Sequence, residues 1–326
     1  MKVFITKPIA DRGMEVFRKA KMDVTVWKQR EPLSQDGLIK KLQNYDAAIC
    51  IGNYKLDDHF FASCQHLKAI SLLSVGYDNV DVPAAAKWKI PVGNTPGVLS
   101  KATADVAFLL MQMVARKAVF NYKNILEGNW KDNNPMDNLG LDLYGKKLGV
   151  FGLGRIGLEM ARMCQRAFGM KIIYHNRRHN EEAEKELGAK KVRFGTLLQA
   201  SDVISIHSAL TSETKNIFGK SAFEKMKPTA ILVNTSRGGV VDEKALANAL
   251  KKKIIWGAGL DVTNPEPMKA DNPLLKMETV AVLPHIGSAT FETRSDMSRL
   301  AAENVVAVLK GKKMPHCINP EVKEQK

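Results

Sequence analysis

The sequence has no apolar run approaching the ~18 residues that a membrane-spanning helix requires, so a helical membrane protein is excluded and no membrane partner is expected. Room for a secretory leader is also missing. Met1-Lys2-Val3-Phe4-Ile5-Thr6 enters a strand-like pattern at once and then meets Pro8, so the expected location is the cytoplasm. Cysteine is scarce. Cys50, Cys64, Cys164 and Cys317 are far apart and form neither a Cys-x-x-Cys pair nor a Cys/His spacing, so neither disulfides nor a metal site is expected. No nucleic-acid-binding motif accompanies the net charge of +15. The lysines gather at the ends of predicted helices, as in Lys251-Lys252-Lys253 and Lys310–Lys313, where cations complement the helix dipole; no nucleic-acid partner is expected.

What is present begins with size: 326 residues suffice for about two domains, each with its own core. The clearest stretch is Lys146–Gly157. The apolar run Leu148–Phe151 reads as a buried strand, Gly152, Gly154 and Gly157 form Gly-x-Gly-x-x-Gly, and Leu158–Phe168 has helical spacing. In this pattern the first glycine allows a tight turn, the second lets backbone approach a pyrophosphate, and the third lets helix pack on strand. The anion then sits on the amides at the helix start, so the cofactor contacts are expected at Gly152, Gly154, Arg155, Ile156 and Gly157.

Strand-like and helix-like segments alternate on both sides of this turn, which predicts an α/β protein with parallel sheets. The first ~95 residues carry that rhythm without a glycine-rich phosphate turn. They end in Ser74-Val75-Gly76-Tyr77-Asp78, where the amides of Val75 and Gly76 are expected to face an anionic substrate. After Asn94-Thr95-Pro96-Gly97, the apolar-periodic segment from Val98 to about Leu126 predicts one long helix closed by Gly128. Six strands are expected from Lys146 onward: Leu148–Phe151, Ile172–His175, Val203–His207, Ala230–Asn234, Ile255–Leu260 and Val280–Leu283. Alternating with helices, they make a doubly wound (Rossmann) dinucleotide domain. Thr290–Leu309 reads as a final helix, and Met314–Lys326 as a tail.

The residue after the second strand of such a domain reads the adenosine ribose, and a carboxylate there selects NAD over NADP. Here Lys171–His175 runs into Asn176-Arg177-Arg178-His179, with no acid at that point. Two guanidiniums beside a neutral Asn suit a 2′-phosphate. NADP(H) is therefore expected to be preferred, with NAD(H) possible.

Three later stretches put polar groups at strand ends: Asn234–Gly239, Gly259–Pro267 and Leu283–Thr290. With Ser74–Asp78, Thr103–Ala107 and Val150–Gly157 they carry a resemblance that covers essentially the whole chain. The sequence resembles the D-isomer-specific 2-hydroxyacid dehydrogenase family, and within it most the glyoxylate/hydroxypyruvate reductases.

The resemblance implies a catalytic set of Arg237, Glu266 and His285, substrate contacts from Val75, Gly76, Arg237 and Ser288, and Thr235, Asp261 and Gly287 lining the nicotinamide side. Thr103 on the long helix and His207 in the stretch Ser205–Thr211 complete the expected cofactor contacts. It also implies a second, flavodoxin-like α/β substrate domain built from both chain ends, 1–97 and 288–326, around a dinucleotide domain of 98–287, and a homodimer. The chemistry agrees. A guanidinium can hold the carboxylate of a 2-keto acid and polarise its carbonyl, while an imidazole backed by a carboxylate protonates the oxygen as hydride arrives from the cofactor. Two departures stand out: Ser208-Ala209 precedes Leu210 where many relatives have a proline, and Lys131–Asn134 follows Trp130 where the reductases carry a second tryptophan. The alternatives are another member of the family (phosphoglycerate, D-lactate or 2-ketogluconate type) or a cofactor-sensing, corepressor-like binding protein on the same scaffold.

Overall fold

The computed structural model describes residues 1–322 and divides the chain into two compact units, Met1–Leu99 joined by the chain from Ala289 onward, and Ser100–Ser288.

In the first unit, β1 (Lys2–Ile5), α1 (Asp11–Lys19), β2 (Asp23–Val26), α2 (Gln35–Leu42), β3 (Ala47–Cys50), α3 (Asp58–Ser63), β4 (Ala69–Leu72), α4 (Val82–Lys87) and β5 (Val92–Gly93) follow in order. The strands pair in parallel in the order β2-β1-β3-β4-β5, which is the flavodoxin-like winding. β3 and β4 are buried throughout because helices cover both faces, and so they read as unbroken apolar runs rather than alternating ones. Ser34, Asp57 and Asp81 each accept an amide of the following helix, which explains where α2, α3 and α4 start. The helix Phe291–Leu309 returns to this unit, capped by Thr290 and packed on α1 where Gly13 makes room; a Cβ there would lie 2.6 Å from the Ser298 carbonyl oxygen.

The expected tail is a correction. Residues 314–319 are folded against β5, the sheet edge. Cys317 bridges Gly93 antiparallel, Ile318 N–H donates to the Val92 carbonyl at 2.9 Å, and fully buried Asn319 bonds the Val92 amide and the Ile90 carbonyl, both at 2.9 Å. A two-residue edge strand has backbone groups to satisfy, and this segment satisfies them. Residues 323–326 of the expected tail lie outside the described residues.

The second unit opens with α5 (Ser100–Ala115) and α6 (Ala118–Leu126), two helices where one was expected. Lys117 adopts a left-handed φ of 50°, ending α5. The freed Ala115 carbonyl accepts the Leu141 amide at 2.8 Å, an approach that glycine at 140 permits, since a Cβ there would lie 2.3 Å from the same oxygen. Apolar spacing continues through the break because α6 is also apolar, so the pattern could not show a change of axis.

There follow β6 (Lys147–Phe151), α7 (Arg155–Phe168), β7 (Lys171–His175), α8 (Glu181–Leu187), β8 (Lys190–Lys191), α9 (Phe194–Ala200), β9 (Val203–Ile206), α10 (Lys220–Phe223), β10 (Ile231–Asn234), α11 (Glu243–Lys251), β11 (Gly257–Leu260) and β12 (Val280–Val282); the returning helix Phe291–Leu309 is α12. The sheet is seven-stranded and parallel, in the order β12-β11-β10-β9-β6-β7-β8. All six expected strands are present. The seventh, β8, is two lysines long and carries no apolar signal. The winding reverses between β6 and β9, which opens a crevice at the carboxyl edge beside the glycine turn.

Candidate active site

Every polar stretch singled out in the second unit lies just beyond the carboxyl end of a strand. Read across the sheet, His285 follows β12, Asp261 and Glu266 follow β11, Thr235 and Arg237 follow β10, His207 follows β9, the glycine turn follows β6, and Arg177 and Arg178 follow β7. The acid–base groups therefore occupy one end of the edge, an anion cradle its middle, and a basic pair the other end.

The middle is built by the three glycines, each for its own reason. Gly152 has φ +94°, and a Cβ there would lie 2.6 Å from the Ser208 amide nitrogen. A Cβ at Gly157 would lie 2.8 Å from the Gly152 carbonyl oxygen, so α7 packs against its own turn only without a side chain. At Gly154 a Cβ would meet nothing: this glycine faces open space. α7 starts there with no capping side chain and no acid in its first turn, which leaves the amides around Arg155 and Ile156 for an anion. The residues present thus fit a pyrophosphate.

Asn176, expected among the cofactor contacts, stands against the glycine turn. Its Oδ1 accepts the Leu153 amide at 2.6 Å and its Nδ2 donates to the Leu153 carbonyl at 3.0 Å, so its side chain braces the glycine turn. Arg177 and Arg178 are exposed. The nearby carboxylate of Glu184 is already engaged by the Tyr174 hydroxyl and by His179 Nδ1 at 2.7 Å, and is held below its ordinary value mainly by the tyrosine bond. Lys191 adds a third cation through its bond to the Arg177 carbonyl.

His207 has both ring nitrogens occupied, Nε2 at 2.8 Å from Ser205 Oγ and Nδ1 at 3.4 Å from Thr235 Oγ1. Burial pulls it down to about 3, so it is neutral at working pH.

At the reactive end, Glu266 Oε1 lies 2.5 Å from His285 Nδ1, leaving Nε2 of the ring for another partner. Burial would raise the Glu266 carboxyl, but the bond from His285 and the field of the Arg237 guanidinium outweigh it and hold the group below its ordinary value. His285 itself has a left-handed φ of 54°, an uncommon conformation for a residue with a side chain. It is held there from below. Asp261, 1% exposed, accepts the amides of Ile286 at 2.8 Å and Gly287 at 2.7 Å. Its burial raises its carboxyl against the pull of those two bonds. Gly287 lets this clamp close, since a Cβ would sit 3.0 Å from Asp261 Oδ2 and 3.2 Å from Thr103 Cγ2. Thr103, Asp261 and Gly287 thus meet at one point, with Ser288 next in the chain.

Arg237 is oriented by its own turn. Its Nη1 donates to the Ser236 carbonyl at 2.8 Å, while buried Asn234 donates to the Arg237 carbonyl at 2.9 Å and accepts from the Ser236 amide and hydroxyl. The bracing roles of Asn234, Asn176 and Asp261 were missed from sequence. Their positions at strand ends, where a buried polar residue needs a partner, were the available signal. Val75 and Gly76 belong to the first unit, in the turn that follows β4.

Residues 108–287 match the family model described as D-isomer specific 2-hydroxyacid dehydrogenase, NAD binding domain. The chain belongs to the D-isomer specific 2-hydroxyacid dehydrogenases. This dehydrogenase is 44% identical to a glyoxylate reductase of Korarchaeum cryptofilum, over 98% of its own length and 96% of that protein. It is also similar to the crystal structure of a glyoxylate reductase from Paecilomyes thermophila, with a TM-score of 0.86, 34% identity and 99% of each chain covered. To the NADPH-dependent glyoxylate/hydroxypyruvate reductase of Sinorhizobium meliloti, its TM-score is 0.83 at 29% identity, covering 100% of this chain and 99% of that one. The dehydrogenase is accordingly an oxidoreductase that uses NAD(P). No helix among its described residues is long and apolar enough to cross a membrane.

Proposed function

We propose that the enzyme reduces small 2-keto acids, glyoxylate and hydroxypyruvate, to 2-hydroxy acids with NADPH, giving the D isomer where the product is chiral. The observation that carries this reading is the Glu266–His285 pair with Arg237 on the adjoining strand end, at the far side of the glycine turn from the basic pair. When bound, the cofactor supplies the hydride. The Arg237 guanidinium holds the substrate carboxylate and polarises the carbonyl. His285 Nε2 delivers a proton to the carbonyl oxygen, and Glu266, bonded to Nδ1, fixes the ring. Val75 and Gly76 supply amides to the carboxylate, and the unit that carries them is the substrate domain.

NADPH is the preferred cofactor on this reading. It is supported by the absence of a free carboxylate where β7 ends, by the Arg177–Arg178 pair, and by the NADPH dependence of the Sinorhizobium meliloti relative. NAD(H) is the second reading, supported by the description of the matching family model. A homodimer is also proposed: α6 buries none of its nine residues, and its Tyr122, Ile125 and Leu126 are exposed, with Leu126 at 69%.

The deciding experiment crosses both reduced cofactors with glyoxylate, hydroxypyruvate, pyruvate and 2-ketogluconate. Highest kcat/KM for the first two acids with NADPH is expected. Failure to turn over any 2-keto acid overturns the reading.

A further inference from the structure

The turn Ser74–Gly76 is backed by a closed ring of hydrogen bonds through three residues far apart in sequence. Asn304 on α12, fully buried, donates from Nδ2 to the Asn94 carbonyl at 3.0 Å; the Asn94 amide donates to the His316 carbonyl at 3.1 Å; and the His316 amide donates back to Asn304 Oδ1 at 3.0 Å. Glycine at 93 makes the ring possible, because a Cβ there would lie 2.6 Å from Asn304 Nδ2. From this ring two bonds reach forward. The Thr95 amide donates to the Ser74 carbonyl at 2.9 Å, and Asn94 Nδ2 donates to the Val75 carbonyl at 2.8 Å.

A trans peptide is planar, and its carbonyl points opposite to the amide of the next residue. Holding the Ser74 carbonyl therefore aims the Val75 N–H away from β5, and holding the Val75 carbonyl aims the Gly76 N–H likewise. Neither amide donates to a backbone carbonyl among the described residues. Ser74 Oγ takes the remaining carbonyl of the turn, that of Gly76, at 2.7 Å.

We propose that Asn94 and Asn304 are positioning residues for the substrate carboxylate: the ring they form with His316 presets two successive amides as an anion clamp. The proposal rests on the reading of Val75 and Gly76 as substrate contacts. Preset donors bind an anion without first being ordered, so the effect belongs to substrate binding and not to the cofactor, whose cradle lies in the other unit.

The test is Asn94→Asp, which keeps shape but removes the donor to the Val75 carbonyl, alongside Asn304→Ala and wild type. KM for glyoxylate and Ki for oxalate are measured by steady-state kinetics, oxalate Kd by titration calorimetry, NADPH Kd by fluorescence, and Tm by thermal melting. Asn94→Asp is expected to raise glyoxylate KM and oxalate Ki together, by about tenfold, for loss of the hydrogen bond that holds the partly buried Val75 carbonyl. NADPH Kd and Tm should stay near wild type. Asn304→Ala should raise the same two constants even where it lowers Tm. Unchanged KM and Ki in Asn94→Asp, or a parallel loss of NADPH binding, would overturn the proposal. A wild-type enzyme inactive on every 2-keto acid, yet with oxalate binding weakened by Asn94→Asp, would instead count against the functional reading alone.

Discussion

Glu266 and His285, nineteen residues apart, are joined by a 2.5 Å bond from carboxylate to Nδ1, and this orients the imidazole with its Nε2 directed away from its partner. Glu266 follows β11 and His285 follows β12, neighbouring parallel strands, so the pair exists because the sheet sets those two strand ends side by side.

Replacing Glu266 by Gln keeps the shape but removes the charge that steadies the ring. We expect kcat for glyoxylate to fall about 10- to 100-fold, and His285→Ala to cost about 10²- to 10⁴-fold, the range for loss of a general acid. Because the Glu266 carboxyl lies below its ordinary value of 4.5, its stabilising contribution is complete above that value and is lost as pH falls through the lower folded one. Stability curves of wild type and Glu266→Gln should therefore converge only below about pH 4.5. Parallel curves down to pH 3 would refute this.

The basic pair after β7 predicts a cofactor-selective effect. Changing Arg177 and Arg178 together to Ala should raise KM for NADPH by about 10- to 100-fold, as expected for loss of charge-assisted bonds to a phosphate, and leave KM for NADH within about twofold. Equal effects on both cofactors would mean that the pair reads no phosphate.

Gly152 and Gly154 should fail in different ways when each is changed to Ala. At 152 the positive φ and the crowded Ser208 amide make the change destabilising by about 1–3 kcal/mol, seen as a lower Tm. At 154 the added methyl meets nothing within the protein, so Tm should hold while NADPH Kd rises about tenfold, because the methyl stands where the pyrophosphate approaches. Titration calorimetry and thermal melts on both variants decide the point.

His207 supplies a stability test. Burial lowers it from 6.5 to about 3, so it is neutral in the folded chain while the unfolded chain takes up a proton below 6.5. Stability should therefore be lost as pH falls from 6.5 toward 3, at up to about 1.4 kcal/mol per pH unit from this group. Denaturant unfolding at pH 7 and pH 5 should show a smaller acid loss in His207→Asn than in wild type. An equal loss would remove the assignment.

Much of this enzyme could be read without coordinates. The strands after Lys146, the helical spacing of Leu158–Phe168 and the glycine turn follow from local rules: burial of a parallel sheet makes continuous apolar runs, and a tight turn toward a phosphate demands glycine at fixed offsets. The residues at strand ends that carry the proposed chemistry were visible because polar groups there interrupt apolar patterns. The break at Lys117 was not visible, since apolar spacing runs on through both α5 and α6. Residues 314–319 looked like a tail because only the exposed edge of β5 gives them a place.

The order of the strands and the doubly wound class were legible in the sequence alone, because each follows from local apolar runs and the turns between them. Tertiary structure decided which polar residues brace the turns. Asn176 holds the glycine turn, Asp261 holds the backbone after His285, and Asn304 reaches Asn94 across 210 positions. Those assignments turn on which buried polar groups find one another, and that is settled only when the strands are stacked side by side.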